Sequence, residues 1–147
     1  MKKTDQAIIV EEVFKAPVEY VWVSITELDK MIQWYFDNIP AFEPVVGFET
    51  SFIIQVEDRV YPHVWKITEV VPQQKISCDW TFKGISGRSL VTFELIKEKD
   101  QTRLKLTNTV LEDFPENVPE FTRESCTGGW NYFIKESLKS YIDKRRA

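Results

Sequence analysis

The sequence predicts an α+β domain in which a curved antiparallel β-sheet wraps around a long C-terminal α-helix, with two short helices after the first strand. Two observations carry this prediction. Near the C-terminus, apolar residues such as Trp130, Ile134 and Leu138 recur at three- and four-residue steps, the spacing of one helical face. Between Phe48 and Val110, apolar residues instead alternate with polar ones, the spacing of strands that turn one face inward.

For the first part of the chain, the sequence predicts one strand followed by two short helices. Residues 6–14 are rich in isoleucine and valine and are predicted to form the strand. Pro17 suits the first turn of the next helix, because its missing N–H has no partner to lose there. Thr26 lies three residues before Asp29. This spacing resembles a capping box, so the second helix is predicted to start at Thr26.

The middle of the chain predicts about five or six antiparallel strands. Inward-facing residues alternate with polar ones in runs from Phe48 to Val56, His63 to Ile67, Ile76 to Phe82, Val91 to Leu95 and Leu104 to Val110. Gly84 and Gly87 are predicted to close a loop, and residues 97–101 to form a charged hairpin loop.

The stretch from Cys126 to Ile142 predicts an amphipathic helix with a wide aromatic stripe. The stripe contains Trp130, Phe133, Ile134, Leu138, Tyr141 and Ile142. The opposite, polar side carries Asn131, Lys135, Glu136 and Lys139. An acidic run precedes this helix at Asp113, Glu116, Glu120 and Glu124. Paired carboxylates can perform acid–base chemistry, but we interpret this run as solvated residues that the helix dipole favours.

The composition indicates one ordinary domain, residues 1–147. Apolar residues make up 43% and charged residues 29% of the chain. The net charge of -4, with acidic and basic residues interspersed, argues against nucleic-acid binding, which needs a concentrated basic surface. The aromatic content of 14% is high. It requires either large buried surfaces or a cavity wall.

The sequence also predicts a cytoplasmic location without integral membrane association. Cys78 and Cys126 make no disulfide framework and are interpreted as two buried thiols. The early apolar run from Ala7 to Val10 is too short for a signal peptide. No stretch approaches the length needed to span a membrane.

The order of these elements, together with several short motifs, resembles the helix-grip fold of the START-like (Bet v 1-like, SRPBCC) superfamily. Within it, the chain is most similar to domains of the Hsp90-ATPase-activator-homologue type. The residues that carry the resemblance are Ala16 to Trp22, Ile25 to Glu27, Trp34, Val46 and Gly47, Ile67 to Pro72, Ile76 to Trp80, Thr102 to Leu106, and Gly129 with Trp130.

The resemblance implies three classes of function, because members of the superfamily are apolar-ligand carriers, cyclases or chaperone cofactors. Two departures concern the cavity of such proteins. The family's glycine pair after the second helix is reduced to Gly47 followed by Phe48, and Trp65 replaces a glycine of the following strand. Aromatic bulk at these positions predicts a cavity smaller than usual.

His63 is the only histidine, so any histidine-based chemistry would have to use it. No nucleophile motif accompanies it, since Ser86 and Ser89 are predicted to lie in a loop without a G-x-S-x-G elbow. Cys78 and Cys126 have no metal-ligand spacing. We predict no catalytic residue, no metal and no cofactor. We interpret His63 as a strand histidine that is partly exposed or hydrogen-bonded. If it faces a cavity, it is expected to orient a carbonyl or hydroxyl group of a ligand.

The sequence thus predicts non-enzymatic binding of a small apolar or amphipathic, lipid-like ligand between the sheet and the C-terminal helix. Pocket shape and a few polar groups, such as His63, Asn108, Tyr20 or Tyr132, are expected to discriminate between ligands. The predicted ligand-binding residues are Phe52, Ile54, His63, Trp65, Trp80, Phe93, Asn108, Trp130, Phe133 and Ile134.

Two alternatives stay open. The first is a co-chaperone-like regulator that binds an Hsp90-type ATPase. Against it, the eukaryotic activators carry a further domain that a chain of this length is not expected to hold. The second alternative is a cyclase- or hydrolase-like enzyme, for which a catalytic signature is missing. The chain is expected to be a monomer or a homodimer.

Overall fold

The computed structural model describes residues 1–146 and confirms the helix-grip fold. Residue 147 of the predicted domain lies outside the described residues. One curved antiparallel sheet has the strand order β1-β6-β5-β4-β3-β2. Its strands are β1 (Ile8–Phe14), β2 (Glu49–Val56), β3 (Arg59–Val71), β4 (Lys75–Phe82), β5 (Ile85–Glu98) and β6 (Gln101–Glu112).

The helices follow one another in the order that the sequence predicts. Two short ones, α1 (Val18–Thr26) and α2 (Leu28–Trp34), follow β1. After β6, a single 3-10 turn (Pro119–Phe121) leads into three consecutive helical segments, which are α3 (Arg123–Asn131), a π-helical segment (Tyr132–Leu138) and α4 (Lys139–Arg146). Residues 123–146 are called the C-terminal helix below. The sequence did not predict its π-helical middle.

The predicted apolar stripe holds the C-terminal helix on the sheet. Ile134, Leu138 and Ile142 are each 0% exposed and belong to one core cluster with the sheet residues Leu104 and Leu106. Fully burying a side chain of this size stabilises the fold by about 1.5–3 kcal/mol relative to leaving it exposed. The helix is therefore part of the hydrophobic core.

The two lysines on the other side of this helix are not simply solvated. The Nζ of Lys135 donates to the carbonyl oxygen of Glu11 at 2.7 Å, and the Nζ of Lys139 donates to that of Val13 at 2.8 Å. Both carbonyls belong to β1, an edge strand of the sheet. Unpaired carbonyls at an edge invite strand addition, and the long lysine stems reach them from the helix.

The predicted starts of the two short helices need correction. α2 begins at Leu28 with Glu27 as its N-cap, and Thr26 does not cap it. The Thr26 hydroxyl instead donates to the carbonyl of Trp22 at 2.7 Å, which satisfies this buried group within α1. Pro17 is the N-cap of α1 and not a residue of its first turn. The first strand starts at residue 8, two positions later than predicted.

The predicted loop between β4 and β5 is also shorter. Gly84 does lie in the turn, but Gly87 and its neighbours Ser86 and Ser89 belong to β5, so their assignment to a loop is wrong. Gly87 has a φ of +114°, and a Cβ there would lie 2.3 Å from the ring of Phe114. Only glycine combines this backbone with such a close approach. It lets the buried Phe114 ring lie directly against the strand.

Replacing Gly87 by alanine should therefore destabilise the fold more than the same change at Gly84. Gly84 has a φ of +79°, and nothing lies within 4 Å of the position that its Cβ would occupy, so both variants share left-handed strain but only one clashes. We expect Gly87→Ala to lower the free energy of unfolding by about 1–3 kcal/mol more than Gly84→Ala. Urea unfolding of both variants measures the difference. Equal losses would mean that Phe114 moves aside freely.

Candidate functional site

A cavity of about 310 Å³ lies between the inner face of the sheet and the C-terminal helix. Its wall is mostly apolar and rich in aromatic rings. The lining residues are Met1, Phe36, Ile54, Val56, Tyr61, His63, Trp80, Phe82, Ser89, Phe114, Glu120, Phe121, Cys126, Gly129, Trp130 and Phe133.

One wall of the cavity is the first half of the C-terminal helix. Cys126, Gly129, Trp130 and Phe133 follow one another at the spacing of a single helical face, and all four line the cavity. Gly129 carries no side chain, and nothing lies within 4 Å of the position that a Cβ would occupy. The helix therefore borders open space here. The environment differs farther along the helix, where Ile134, Leu138 and Ile142 are fully buried in the close-packed core.

A second wall comes from Phe36, the last residue of an aromatic wedge that is defined as Trp34, Tyr35 and Phe36. The Tyr35 ring lies 5.2 Å from the ring of Trp65 on the sheet and 6.1 Å from the ring of Trp130 on the helix. It also stacks on Trp34 at 4.6 Å. The wedge thus stands between sheet and helix. Sequence reasoning missed Tyr35 and Phe36, although three consecutive aromatic residues after a short helix were a visible signal.

A second, much smaller cavity of about 20 Å³ lies against the wedge and is lined by Tyr35, Trp65 and Phe93 among others. A space of this size holds about one water molecule. Trp65 and its neighbours therefore fill most of the space in this region. The indole of Trp65 packs edge-on against Phe52 at 4.8 Å and lies 5.1 Å from Trp80.

The structure brings together some of the ten predicted site residues but not all of them. Those that line the large cavity are Ile54, His63, Trp80, Trp130 and Phe133. Those that line the small cavity are Trp65 and Phe93. Those that line neither are Phe52, Asn108 and Ile134. The tyrosines considered as polar groups, Tyr20 and Tyr132, also line neither, and Tyr132 is 53% exposed.

Two of the residues outside the cavities support the cavity wall from behind. Phe52 stacks on the ring of His63 with centroids 5.1 Å apart and an interplanar angle of 17°. The amide Nδ2 of Asn108 donates to the Sγ of Cys126 at 3.4 Å. Both residues are buried. They fix the orientation of side chains that line the cavity.

His63 places a polar ring in this apolar wall. Its Nδ1 lies 2.9 Å from the carbonyl oxygen of Tyr61. Because a carbonyl can only accept, Nδ1 carries the proton and Nε2 keeps its lone pair. Burial lowers the pKa of His63 to about 4, against the opposing effect of the Tyr61 hydrogen bond. The ring is therefore neutral at pH 7.

An ion pair stands beside the cavity at Glu120. Its carboxylate accepts hydrogen bonds from the Nε of Arg59 at 2.5 Å, from the Nη2 of Arg59 at 3.0 Å and from the hydroxyl of Tyr61. These bonds, that of Arg59 first, hold the pKa of the Glu120 carboxyl below its usual value. The interpretation of Glu120 as a solvated helix-cap residue is thus wrong. Glu124 does lie in the first turn of α3, as predicted.

The two thiols are poor nucleophiles. Burial raises the pKa of Cys78 to about 12 and that of Cys126 to about 11, so both are protonated at neutral pH. They form no disulfide. Within residues 1–146, no group of three or more histidine, cysteine or carboxylate side chains is arranged to hold a metal ion.

The family model described as Activator of Hsp90 ATPase homolog 1-like protein matches residues 15–143 of this chain. A search among curated proteins finds no match. In the part of the chain that the structure describes, no helix is long and apolar enough to cross a membrane.

Solved structures that share the fold include the following three. DynU16, from the dynemicin biosynthetic locus, is 21% identical with a TM-score of 0.75, and the match covers 96% of this chain but only 48% of DynU16. The Aha1 dimer from Colwellia psychrerythraea is 20% identical with a TM-score of 0.73, covering 97% of this chain and 100% of the other. An Hsp90 activator from Plasmodium falciparum is 18% identical with a TM-score of 0.73, covering 95% and 97%.

The low pKa of His63 predicts that this residue makes the fold acid-sensitive. The unfolded chain, with a histidine pKa of about 6.5, binds a proton that the folded chain does not bind until about pH 4. Stability contributed by the neutral ring is therefore complete above about pH 6.5 and is lost as the pH falls toward 4. We expect a loss of about 3 kcal/mol over this range from this group alone.

The measurement is the free energy of unfolding in urea from pH 7 to pH 4, for the unmodified chain and for His63→Phe. Acidic groups such as Glu120 contribute to both proteins, so the difference between the two slopes isolates His63. Parallel slopes would contradict a buried, neutral histidine.

Proposed function

Since the chain belongs to the Activator of Hsp90 ATPase homolog 1-like family, we propose that it binds a small apolar or amphipathic ligand, without catalysis, in the cavity between sheet and C-terminal helix. The cavity itself carries this proposal. Its lining is mostly apolar and aromatic with a few polar groups, which is the character of small-molecule sites. A space of about 310 Å³ lies at the lower end of the range for small-molecule sites, about 300–1,000 Å³.

The chemistry of the wall favours binding over catalysis. A general base works best with a pKa near the working pH, and the pKa of His63 is about 4. The Cys126 thiol, with a pKa of about 11, is not a thiolate at neutral pH. These properties argue against the cyclase- or hydrolase-like alternative.

An amphipathic ligand would find its orientation from the few polar groups. Tyr61 connects two of them, because its carbonyl oxygen lies against His63 and its hydroxyl donates to Glu120. The rest of the wall, including Trp80 and Trp130 at 5.5 Å from each other, offers ring edges and faces to an apolar body. The polar end of a ligand is expected at the Tyr61 side.

Two tryptophans in the wall provide the test. Addition of the apolar probe N-phenyl-1-naphthylamine should change the tryptophan emission of the native chain, because Trp80 and Trp130 line the cavity. Trp130→Phe keeps an aromatic ring and enlarges the cavity. We expect it to alter probe affinity several-fold and to reduce the emission change, while circular dichroism stays native.

Trp22→Phe is the matched control. Trp22 is buried in the core but lines neither cavity, so its replacement should leave the probe affinity unchanged. The proposal would be contradicted if the natively folded chain bound no apolar probe and its tryptophan emission did not change on probe addition. The aromatic rings would then serve only as core.

A co-chaperone role is the second candidate, and the family description favours it. One of the structural neighbours is itself named an Hsp90 activator. Such a role would need an exposed protein-binding surface. The large exposed apolar side chains are instead spread over the molecule, for example Ile9 on the edge strand β1 and Ile53 on the opposite edge strand β2. The lining of the cavity, in contrast, gathers many apolar side chains in one place.

We therefore expect this 147-residue chain to stimulate a purified Hsp90-type ATPase weakly or not at all. Steady-state ATP hydrolysis, measured across a titration of the chain, decides this. A saturable, several-fold stimulation of ATP hydrolysis would contradict this expectation and favour the co-chaperone role.

A further inference from the structure

We infer that the ligand carries a hydroxyl group that donates a hydrogen bond to the Nε2 of His63, so that the cavity selects neutral phenols or alcohols over hydrocarbons and carboxylates. This inference rests on the proposed function, since it names the class of ligand that the same cavity would take.

The orientation of the His63 ring supplies the first argument. Its Nδ1 proton is committed to the Tyr61 carbonyl at 2.9 Å. Phe52 covers one face of the ring, and Phe82 stands edge-on to it with centroids 4.6 Å apart. Among the described residues, none forms a hydrogen bond with Nε2. Because His63 lines the cavity, Nε2 is available to form a hydrogen bond with a bound ligand.

The role of Nε2 as a hydrogen-bond acceptor determines which ligand groups can bind to it. A neutral imidazole with its proton on Nδ1 can only accept at Nε2. A ligand carbonyl or ether oxygen brings no proton and cannot bond there. A hydroxyl group brings one. The sequence alone had left carbonyl and hydroxyl equally open.

Two other polar groups of the wall, Tyr61 and Glu120, also leave hydrogen-bond acceptors available. The Tyr61 hydroxyl already donates to Glu120, and the Glu120 carboxylate can only accept. Ser89 can both donate and accept, so it does not discriminate. The lining also brings N–H donors, from the indoles of Trp80 and Trp130 and from the Met1 ammonium. The acceptor Nε2 is therefore what favours a hydroxyl group, while the Glu120 carboxylate on the same wall repels a ligand carboxylate.

A hydrocarbon ligand would bind with lower affinity for a different reason. It would strip water from Nε2 without offering a proton, and a buried acceptor left unpaired is unfavourable. A typical hydrogen bond of this kind changes an affinity by about fivefold to tenfold. This is the size of preference that the cavity should show for a hydroxyl group over a methyl group in the same position.

The first experiment uses the unmodified chain and its single histidine, whose ring nitrogen signals in a 15N NMR spectrum need no assignment by mutation. At pH 7 the free protein should show a protonated Nδ1 and an unprotonated Nε2. The Nε2 signal should move in the direction of an accepted hydrogen bond when 2-naphthol is added. It should move little with 2-methylnaphthalene, in which a methyl group replaces the hydroxyl.

The second experiment compares affinities in a cycle, which cancels the different hydrophobicities of the compounds. The preference for 2-naphthol over 2-methylnaphthalene should fall about fivefold to tenfold in His63→Phe, which keeps a ring but loses the acceptor. His63→Gln retains a side-chain acceptor and should keep part of the preference. The anion 2-naphthoate should bind the unmodified chain most weakly of the three compounds.

The outcomes separate the two proposals. If both naphthalenes bind but Nε2 is protonated, or its signal is indifferent to 2-naphthol, or 2-naphthoate binds tightest, the hydroxyl inference is wrong and the proposed function stands. If neither compound binds the natively folded chain, both are wrong. Should His63→Phe fail to fold, the NMR experiment on the unmodified chain still decides the inference.

Discussion

The structure depends on one constraint, which is that the inner face of the sheet and the stripe of the C-terminal helix must bury each other. Leu104 and Leu106 on the sheet meet Ile134, Leu138 and Ile142 on the helix in a close-packed cluster. Toward the start of the helix, Tyr35 and Phe36 of the aromatic wedge stand against Phe133 between the two faces. The same helix is therefore part of the core along one half and the wall of a cavity along the other.

The wedge works because it is held from both sides. Tyr35 lies within ring-contact distance of Trp65 and of Trp130, and the carbonyl of Trp34 accepts a hydrogen bond from the Ser137 hydroxyl at 2.5 Å. Aromatic pairs in such geometries add to the stability that burial supplies. The distance between sheet and helix is thus set by rigid rings, and this keeps the cavity from collapsing.

The cavity in turn determines what its polar groups can do. Burial drives His63 and Cys126 to their neutral forms, while the bonds from Arg59 keep Glu120 ionised. The wall consequently offers apolar surface and neutral hydrogen-bonding groups beside the Glu120 carboxylate, but neither an activated base nor a thiolate. Family membership alone, with a description that names an ATPase activator, does not convey this chemistry.

The sequence by itself determined the elements and the faces they bury, because the alternation of apolar residues depends only on local geometry. The strand faces around His63, Trp80 and Val110 and the helical stripe from Trp130 to Ile142 were predicted correctly on that ground. The capping of α2 by Thr26 was not, because a buried hydroxyl takes whichever carbonyl is near, and Trp22 supplied it.

The tertiary structure alone decided which buried residues face open space. Trp80, Trp130 and Ile134 look alike in the sequence, yet the first two line the cavity and Ile134 is packed solid. The difference arises from the aromatic wedge and from Gly129, which act between elements far apart in the chain. The sequence also did not reveal that His63 is a hydrogen-bond acceptor at Nε2. This property follows from the hydrogen bond to Tyr61 and from burial, and the sequence pattern predicts neither of them.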